Sequence, residues 1–172
     1  MQPMFTRSLI RIFLPAALLA VQLVEPDTVF AAQNGKAFGD WKVYCKVKKS
    51  TNRELCHIFQ ILRKKSDRKQ IMRVELGYLK PNSSPRLIVI LPLGIALPPG
   101  ISIQVDGNQS NRFEIETCTR EGCRASVEVD HILLNEMRMG SKMKIKFSTL
   151  NRKKFIVPVS LKGFSTGNAS LK

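Results

Sequence analysis

The stretch WKVYCKVK, Trp41–Lys48, alternates apolar and lysine side chains along its length. Trp41, Val43, Cys45 and Val47 fall on one side of an extended chain and the lysines on the other, because successive side chains of a strand point to opposite faces. This pattern is typical of an antiparallel sheet with one face against a core and the other in water. Trp41–Lys48 therefore predicts a half-buried strand with Trp41 as a core anchor.

The same alternation recurs along the rest of the chain and predicts an all-β protein. Four further alternating strands are expected at 101–105, 112–118, 123–129 and 142–147, and four more apolar strands at 55–62, 70–77, 86–93 and 155–159. Asp106-Gly107 and Glu121-Gly122 are compatible with hairpin turns. Pro158 has no backbone N–H, so its strand is expected at a sheet edge or at a bulge.

One short helix is predicted after Asp130, whose side chain can cap it, and it is expected to end near Gly140. About nine short strands, close turns and one minor helix favour an antiparallel β-sandwich of immunoglobulin-like, Greek-key type. A small closed β-barrel is the alternative.

Residues 1–31 have the order of a secretory signal peptide: Arg7 and Arg11, then an apolar run, then the small-x-small site Val29-Phe30-Ala31. The apolar run has about 13 residues, whereas a spanning helix needs roughly 20. Cleavage after residue 31 would leave a short extension at 32–37, a single domain at 38–164 and a polar tail at 165–172, expected to fray beyond Phe164. The product is expected to be exported, to the periplasm, to an outer-membrane-associated site or to the medium, with no transmembrane segment.

The net charge of +15 stays on the exported part, because residues 1–31 contain two basic and two acidic residues. Such a charge attracts polyanions, and the candidates are glycans, lipopolysaccharide and acidic proteins. Nucleic acid is an unlikely partner because the protein is exported and stacking aromatic residues are not interleaved. Lysines on a strand can equally protect it from edge-to-edge pairing. The candidate polyanion-binding residues are Arg63, Lys64, Lys65, Lys142, Lys144, Lys146, Arg152, Lys153 and Lys154.

Four cysteines in an exported domain predict disulfides, and three connectivities are open to them. Pairing by proximity gives Cys45–Cys56 and Cys118–Cys123, which we favour. Their gaps do not fit zinc knuckles, and the redox motif C-x-x-C does not occur. We therefore expect structural staples and neither a metal site nor a cofactor.

Catalytic residues are not predicted. The two histidines, His57 and His131, have no sequence context of a catalytic pair, and Glu114 and Glu116 fit a solvated strand face shared with Arg112. A hydrolase would need His57 or His131 beside an acid and a serine in a cleft. The sequence favours a protein that is not an enzyme.

Several ordered segments resemble the invasion-associated locus B family of exported Gram-negative bacterial proteins. The matching pieces are FGDWKVYC at 38–45, LCHIFQ at 55–60, LPLGIALPPGISIQVDG at 91–107, CTREGC at 118–123 and IVPVSLKGF at 156–164. The resemblance implies a compact β-sandwich with two local disulfides and an association with host-cell invasion and virulence. It supplies no catalytic site.

Two functions are compatible with this resemblance. The first is a non-enzymatic exported factor that meets a host-cell surface protein or an anionic glycan through its basic residues. The alternative is a periplasmic structural or chaperone-like envelope protein, which would contact envelope components and no host partner. The first predicts salt-sensitive binding, and confinement behind the outer membrane would indicate the second.

Overall fold

A computed structural model of the chain describes residues 32–49, 52–80 and 82–172. The predicted signal peptide, residues 1–31, lies outside the described residues, so its cleavage stays a prediction. The segment after it is paired with the first long strand. The Gly35 N–H donates to the Val43 carbonyl at 2.9 Å, and the Val43 N–H donates to the Lys36 carbonyl at 2.8 Å.

Eleven strands and two short helices make up the described chain. The strands are β1 Ala37–Phe38, β2 Trp41–Lys48, β3 Arg53–Arg63, β4 Gln70–Gly77, β5 Arg86–Leu91, β6 Ile101–Val105, β7 Asn111–Phe113, β8 Thr117–Thr119, β9 Gly122–Glu128, β10 Lys142–Ser148 and β11 Lys154–Ser160. The helices are α1 His131–Met139 and α2 Phe164–Ala169. Neither helix, among the residues described, is long and apolar enough to cross a bilayer.

The strands form two antiparallel sheets, as predicted. The larger has the order β1-β2-β3-β4-β5-β9-β8 and the smaller the order β11-β10-β6-β7. In the described chain each sheet ends at strands with a neighbour on one side only, so the alternative prediction of a closed barrel is wrong. Pro158 lies on β11, an edge strand, which confirms the prediction from its missing N–H.

The core lies between the sheets and is filled by the apolar positions of the alternating strands. Trp41 is fully buried and packs edge-on against Phe164, with ring centroids 5.2 Å apart. On β10, Met143, Ile145 and Phe147 are buried while the lysines between them point outward. The period-two pattern thus predicts these inward faces correctly, except at Val47 near the end of β2, which is 50% exposed.

One predicted strand is two strands. Residues 112–118 were expected to form a single strand, but β7 ends at Phe113 and pairs with β6, whereas β8 begins at Thr117 and pairs with β9. The chain crosses from one sheet to the other between them, and the Glu116 N–H already donates to the Arg124 carbonyl at 2.8 Å. Arg112 therefore does not share a strand face with the two glutamates, as the sequence analysis had expected.

The C-terminal segment is ordered, and the expectation that it frays beyond Phe164 is wrong. α2 occupies residues 164–169, and Gly167, Asn168 and Ser170 are buried. The Asn168 side chain contacts the Tyr78 hydroxyl at 2.8 Å, which ties α2 to the segment after β4. The predicted helix after Asp130 is confirmed as α1, because Asp130 accepts a hydrogen bond from the Leu133 N–H at 2.8 Å.

Both disulfides favoured by proximity are present, and each joins directly opposed residues of neighbouring strands. Cys45–Cys56 links β2 to β3, and Cys118–Cys123 links β8 to β9. The turn between β8 and β9 is Arg120-Glu121 and not the predicted Glu121-Gly122, because Gly122 already pairs with Thr119. The described chain contains no free cysteine. The disulfide of CTREGC therefore ties the three-residue edge strand β8 to β9.

Candidate functional site

The outer face of the smaller sheet carries five cations. Lys142, Lys144 and Lys146 alternate along β10, and strand pairing extends the set in both directions. Lys146 lies opposite Ser102, which lies opposite Arg112 on β7; Ser148 lies opposite Lys154 on β11. We call Arg112, Lys142, Lys144, Lys146 and Lys154 the basic face.

None of the paired strand positions on this face is acidic, and Asp106, directly after β6, lies next to Lys142 at one end of it. The other residues on it are Ser102, Gln104, Ser148, Ile156, Pro158 and Ser160. Asp106, at the end of β6, uses its carboxylate to accept hydrogen bonds from the backbone N–H groups of Ser141 and Lys142. Within residues 32–49, 52–80 and 82–172, none of the five cations forms an ion pair.

The spacing of the basic face favours an anionic ligand. Same-face neighbours along a strand are about 7 Å apart, so adjacent lysines repel each other, and among the described residues no ion pair offsets that repulsion. An anion bound across the strand would relieve it. Four of the five side chains are exposed and Lys146 is half-buried, so the charges face solvent.

The other basic residues predicted from the sequence lie in two turns. Arg152 and Lys153 lie in the β10–β11 turn, next to Lys154 of the basic face, and the Lys153 Nζ lies 5.5 Å from the centre of the Phe155 ring. Arg63, Lys64 and Lys65 lie at the β3–β4 hairpin tip, as expected, but this hairpin belongs to the larger sheet. The candidate residues therefore form two groups, one on each sheet.

The hairpin tip is held by its own backbone. The Lys64 N–H donates to the Lys69 carbonyl at 2.9 Å, and the Arg63 guanidinium donates to the Arg68 carbonyl at 3.2 Å. Gln60, on the same strand, exchanges two hydrogen bonds with Ser160 of β11. That link joins the sheets but places no lysine of the tip against the basic face.

His57, the more buried of the two histidines, lies in a polar cluster on the larger sheet. Its Nε2 is 3.7 Å from a Glu75 oxygen, too far for a hydrogen bond, while Arg73 Nε lies 2.6 Å from the other oxygen. Burial lowers the pKa of His57 below its ordinary value; Glu75 opposes this shift and Arg73 adds to it. In the described chain no serine, threonine or cysteine is hydrogen-bonded to His57.

The same face shows why His57 is half-buried. Tyr44 and Phe59 flank it, with ring centroids 5.4 and 6.2 Å away, and the Arg73 guanidinium lies 4.7 Å from the centre of the Phe59 ring. His131, by contrast, is exposed at the start of α1. Neither histidine meets the condition set for a hydrolase, because neither lies beside both an acid and a serine.

Sequence reasoning missed one member of the basic face and one apolar surface. Arg112 was assigned to a strand with Glu114 and Glu116, and only the break after Phe113 places it beside Ser102. Leu93 was assigned to a strand at 86–93, but β5 ends at Leu91, and Leu93, Leu97 and Leu150 are 57%, 49% and 70% exposed. The absence of polar side chains in residues 91–100 is the signal that could have found this surface.

Three comparisons with known proteins each match invasion-associated proteins. The family model described as Invasion associated locus B (IalB) protein matches residues 41–172. Two invasion protein B homologs, from Brucella abortus strain 2308 and biovar 1 strain 9-941, are each 23% identical over 130 residues, covering 75% of this chain and 73% of the relative. A crystal structure of invasion associated protein B from Bartonella henselae superposes with a TM-score of 0.71 at 19% identity, covering 79% of this chain and 92% of that one. The last comparison shows that the fold is shared.

Proposed function

Because the chain belongs to the invasion associated locus B family, we propose that it is an exported, non-enzymatic factor that contributes to host-cell interaction by binding anionic glycans through its basic face. The relatives carry the name of invasion proteins. The side chains that would contact an anionic host surface are the cations of the basic face, on the smaller sheet.

One observation carries the proposal: five cations share one sheet face, and none of them forms an ion pair within the described residues. Elsewhere on the protein, charges of both signs meet, as in the Arg73–Glu75 and Arg86–Glu128 pairs of the larger sheet. Sulfate and carboxylate groups of a linear glycan repeat along a chain, so an extended strand with lysines on every second residue can meet several of them.

Two disulfides support the exported location. Disulfides persist in oxidising compartments and are rare in the cytosol. Cys118 is exposed on a three-residue edge strand, where a reducing environment would have access to its bond with Cys123.

The glycan proposal is tested by binding to immobilised heparin, a sulfated probe, across a range of salt concentrations. The variant Lys142→Gln/Lys144→Gln/Lys146→Gln should bind about tenfold more weakly and elute at lower salt, because exposed electrostatic contacts are screened at a Debye length of about 10 Å in 0.1 M salt. The matched control, Lys42→Gln/Lys46→Gln/Lys48→Gln, removes the same charge from exposed positions of β2. Equal weakening by both variants would show that binding follows net charge alone and would refute a specific basic face.

A second variant asks whether the hairpin tip contributes. Lys64→Gln/Lys65→Gln removes two of the predicted cations from the larger sheet, and binding that survives this change assigns the glycan to the smaller sheet. Binding by wild-type protein that does not change between low and high salt would also contradict the proposal.

The location is tested by protease digestion of intact cells, beside a periplasmic control protein and the culture supernatant. Digestion on intact cells, or recovery from the supernatant, would place the basic face where a host can be reached. Protection until the outer membrane is breached would remove direct host contact and favour the alternative, a structural or chaperone-like role in the envelope.

A further inference from the structure

The loop between β5 and β6 is apolar and exposed. Residues 91–100, LPLGIALPPG, contain no polar side chain. Ile95 is buried and anchors the loop in the core, yet six of the ten residues face solvent: Pro92, Leu93, Gly94, Leu97, Pro98 and Pro99. Loops at a protein surface are ordinarily polar, so a run of exposed leucines and prolines indicates a contact surface.

A second segment joins this loop at the same end of the smaller sheet. Ile95 forms a β-bridge with Thr149, the Ala96 N–H donates to the Ser148 carbonyl at 2.8 Å, and the Leu150 N–H donates to the Gly94 carbonyl at 3.1 Å. These bonds hold Leu150 beside the loop, with 70% of its surface in solvent. We call Leu93, Leu97 and Leu150, with the three prolines of the loop, the apolar tip.

Cations border the apolar tip at the β10–β11 turn, while Glu114 lies next to Gly100 at the far end of the loop. Arg152 and Lys153 lie in the same turn as Leu150, and Lys154 begins the strand that follows. Neither residues 91–100 nor residues 148–156 contain an acidic side chain. The tip lies at the Ser148 end of β10, opposite the end where Lys142 pairs with Ser160.

This combination points to one kind of partner. Exposed leucines bordered by lysine and arginine match the two layers of an anionic bilayer surface, with acyl chains beneath phosphate headgroups. A second copy of this chain does not fit, because it would bring the same cations against each other. The tip is carried by two hydrogen-bonded segments, so little order has to be gained on docking.

We propose that the apolar tip docks the protein on anionic lipid bilayers, with Leu93, Leu97 and Leu150 entering the interfacial layer and Arg152, Lys153 and Lys154 contacting headgroup phosphates. The inference does not rest on the glycan proposal, since the two share only Lys154 and the three leucines take no part in the basic face. The basic face extends up β10 from the tip and would lie close to the membrane surface.

The test is co-sedimentation of the mature protein with vesicles of phosphatidylcholine containing phosphatidylglycerol, beside vesicles of phosphatidylcholine alone. Wild-type protein should bind the anionic vesicles. The variant Leu93→Ser/Leu97→Ser/Leu150→Ser should bind them about tenfold more weakly or worse, because burial of each leucine in the bilayer strengthens binding several-fold. Leu79→Ser/Ile132→Ser/Met139→Ser is the matched control, since it removes three equally exposed apolar side chains elsewhere and should leave vesicle binding unchanged.

The result that overturns the proposal is equal vesicle binding by the tip variant and wild type, or no binding by wild type. The tip variant should also retain wild-type binding to heparin, so failure of the membrane proposal and failure of the glycan proposal are distinguishable.

A second measurement does not depend on removing the leucines. Leu150→Trp places an indole at the tip, while the single native tryptophan, Trp41, is fully buried. Vesicles containing brominated lipid should quench the fluorescence of Leu150→Trp and spare that of Leu79→Trp. Equal quenching of the two variants, or of neither, would contradict insertion at the tip.

Discussion

The indole N–H of Trp41 donates to the carbonyl oxygen of Ser160 at 2.9 Å, and so joins the first long strand of the larger sheet to the edge strand of the smaller one. Gln60 donates to the same carbonyl at 3.1 Å and accepts from the Ser160 N–H at 3.2 Å. Backbone groups at the open edge of β11 are thereby satisfied within the molecule. The sandwich is closed at this corner by hydrogen bonds as well as by apolar packing.

Trp41→Phe should lower the free energy of unfolding by about 2 kcal/mol, because it removes one hydrogen bond worth about 1 kcal/mol and part of a buried ring. Urea unfolding followed by far-ultraviolet circular dichroism measures this loss, since the variant has no tryptophan to report by fluorescence. Gln60→Ala combined with Trp41→Phe should cost more than the sum of the single changes, because the Ser160 carbonyl then has no side-chain partner. If the two losses of unfolding free energy simply add, the indole and the Gln60 amide do not compensate for each other at the Ser160 carbonyl.

The two disulfides should contribute unequally. Replacing Cys45 and Cys56 by alanine should cost about 0.6 kcal/mol more than replacing Cys118 and Cys123, because the first pair closes a loop about twice as long. Denaturant unfolding of the two double variants gives the comparison. Loss of the Cys118–Cys123 staple should also speed amide hydrogen exchange at Thr117–Thr119, while exchange in β2 stays slow. A uniform increase across both sheets would contradict a local staple.

Lys144→Gln should slightly raise stability at low salt. Lys144 lies between Lys142 and Lys146 on one sheet face, and removing the central charge relieves two repulsions, for a gain of up to about 0.5 kcal/mol. Thermal unfolding at low and at 1 M salt measures it, and the gain should vanish at high salt. Lys42→Gln, opposite Phe59 on the other sheet, is the control and should change little. A gain that persists at 1 M salt would exclude repulsion as its cause.

Much of the fold could be predicted because period-two alternation reports which face of a strand is buried. Trp41, the β10 lysines and the edge position of Pro158 were all assigned from such local rules. The same rules could not show that the chain changes sheets after Phe113, since Phe113, Ile115 and Thr117 keep the alternation across the crossover. Because this change of sheet was not predicted, Arg112 was not recognised from the sequence as part of the basic face.

The apolar tip and α2 were missed for a related reason. An apolar residue in a sequence is assigned to the core by default, and Leu93 and Leu97 flank a residue, Ile95, that is indeed buried. Only the three-dimensional arrangement shows that the chain turns them outward at Gly94. Conversely, the polar sequence of α2 suggested fraying, but Asn168 is buried because Tyr78 supplies its hydrogen-bond partner.

Gly163→Ala should destabilise the protein much more than Gly94→Ala. Both glycines have nearly the same positive φ, +83° and +85°, so the left-handed backbone costs each alanine about 1–2 kcal/mol. A Cβ at Gly163 would also overlap the carbonyl of Phe38, whereas a Cβ at Gly94 meets nothing within 4 Å. The overlap should add about 1–3 kcal/mol, as overpacking typically does. Equal losses of unfolding free energy in the two variants would show that the backbone at Gly163 can move aside.

His57 should make stability depend on pH. Its pKa is lowered in the folded protein, chiefly by burial, so the unfolded chain binds this proton at a higher pH than the folded chain does. Between the folded pKa and the ordinary value of 6.5, the unfolded state holds more protons, and stability rises with pH. The contribution is fully present above 6.5 and is lost as the pH falls through that window.

The prediction is measured by urea unfolding of wild type and His57→Gln between pH 5 and pH 8. The difference in unfolding free energy between the two proteins should shift in favour of His57→Gln as the pH falls, because glutamine has no proton to bind. Glu75 and Arg73 remain in both proteins, so the comparison changes only the residue at position 57. His131→Gln, which leaves the cluster around His57 intact, should keep the wild-type slope. A wild-type slope in His57→Gln would mean that another group drives the pH dependence, and the buried, unpaired Nε2 of His57 would then carry no proton-linked energy.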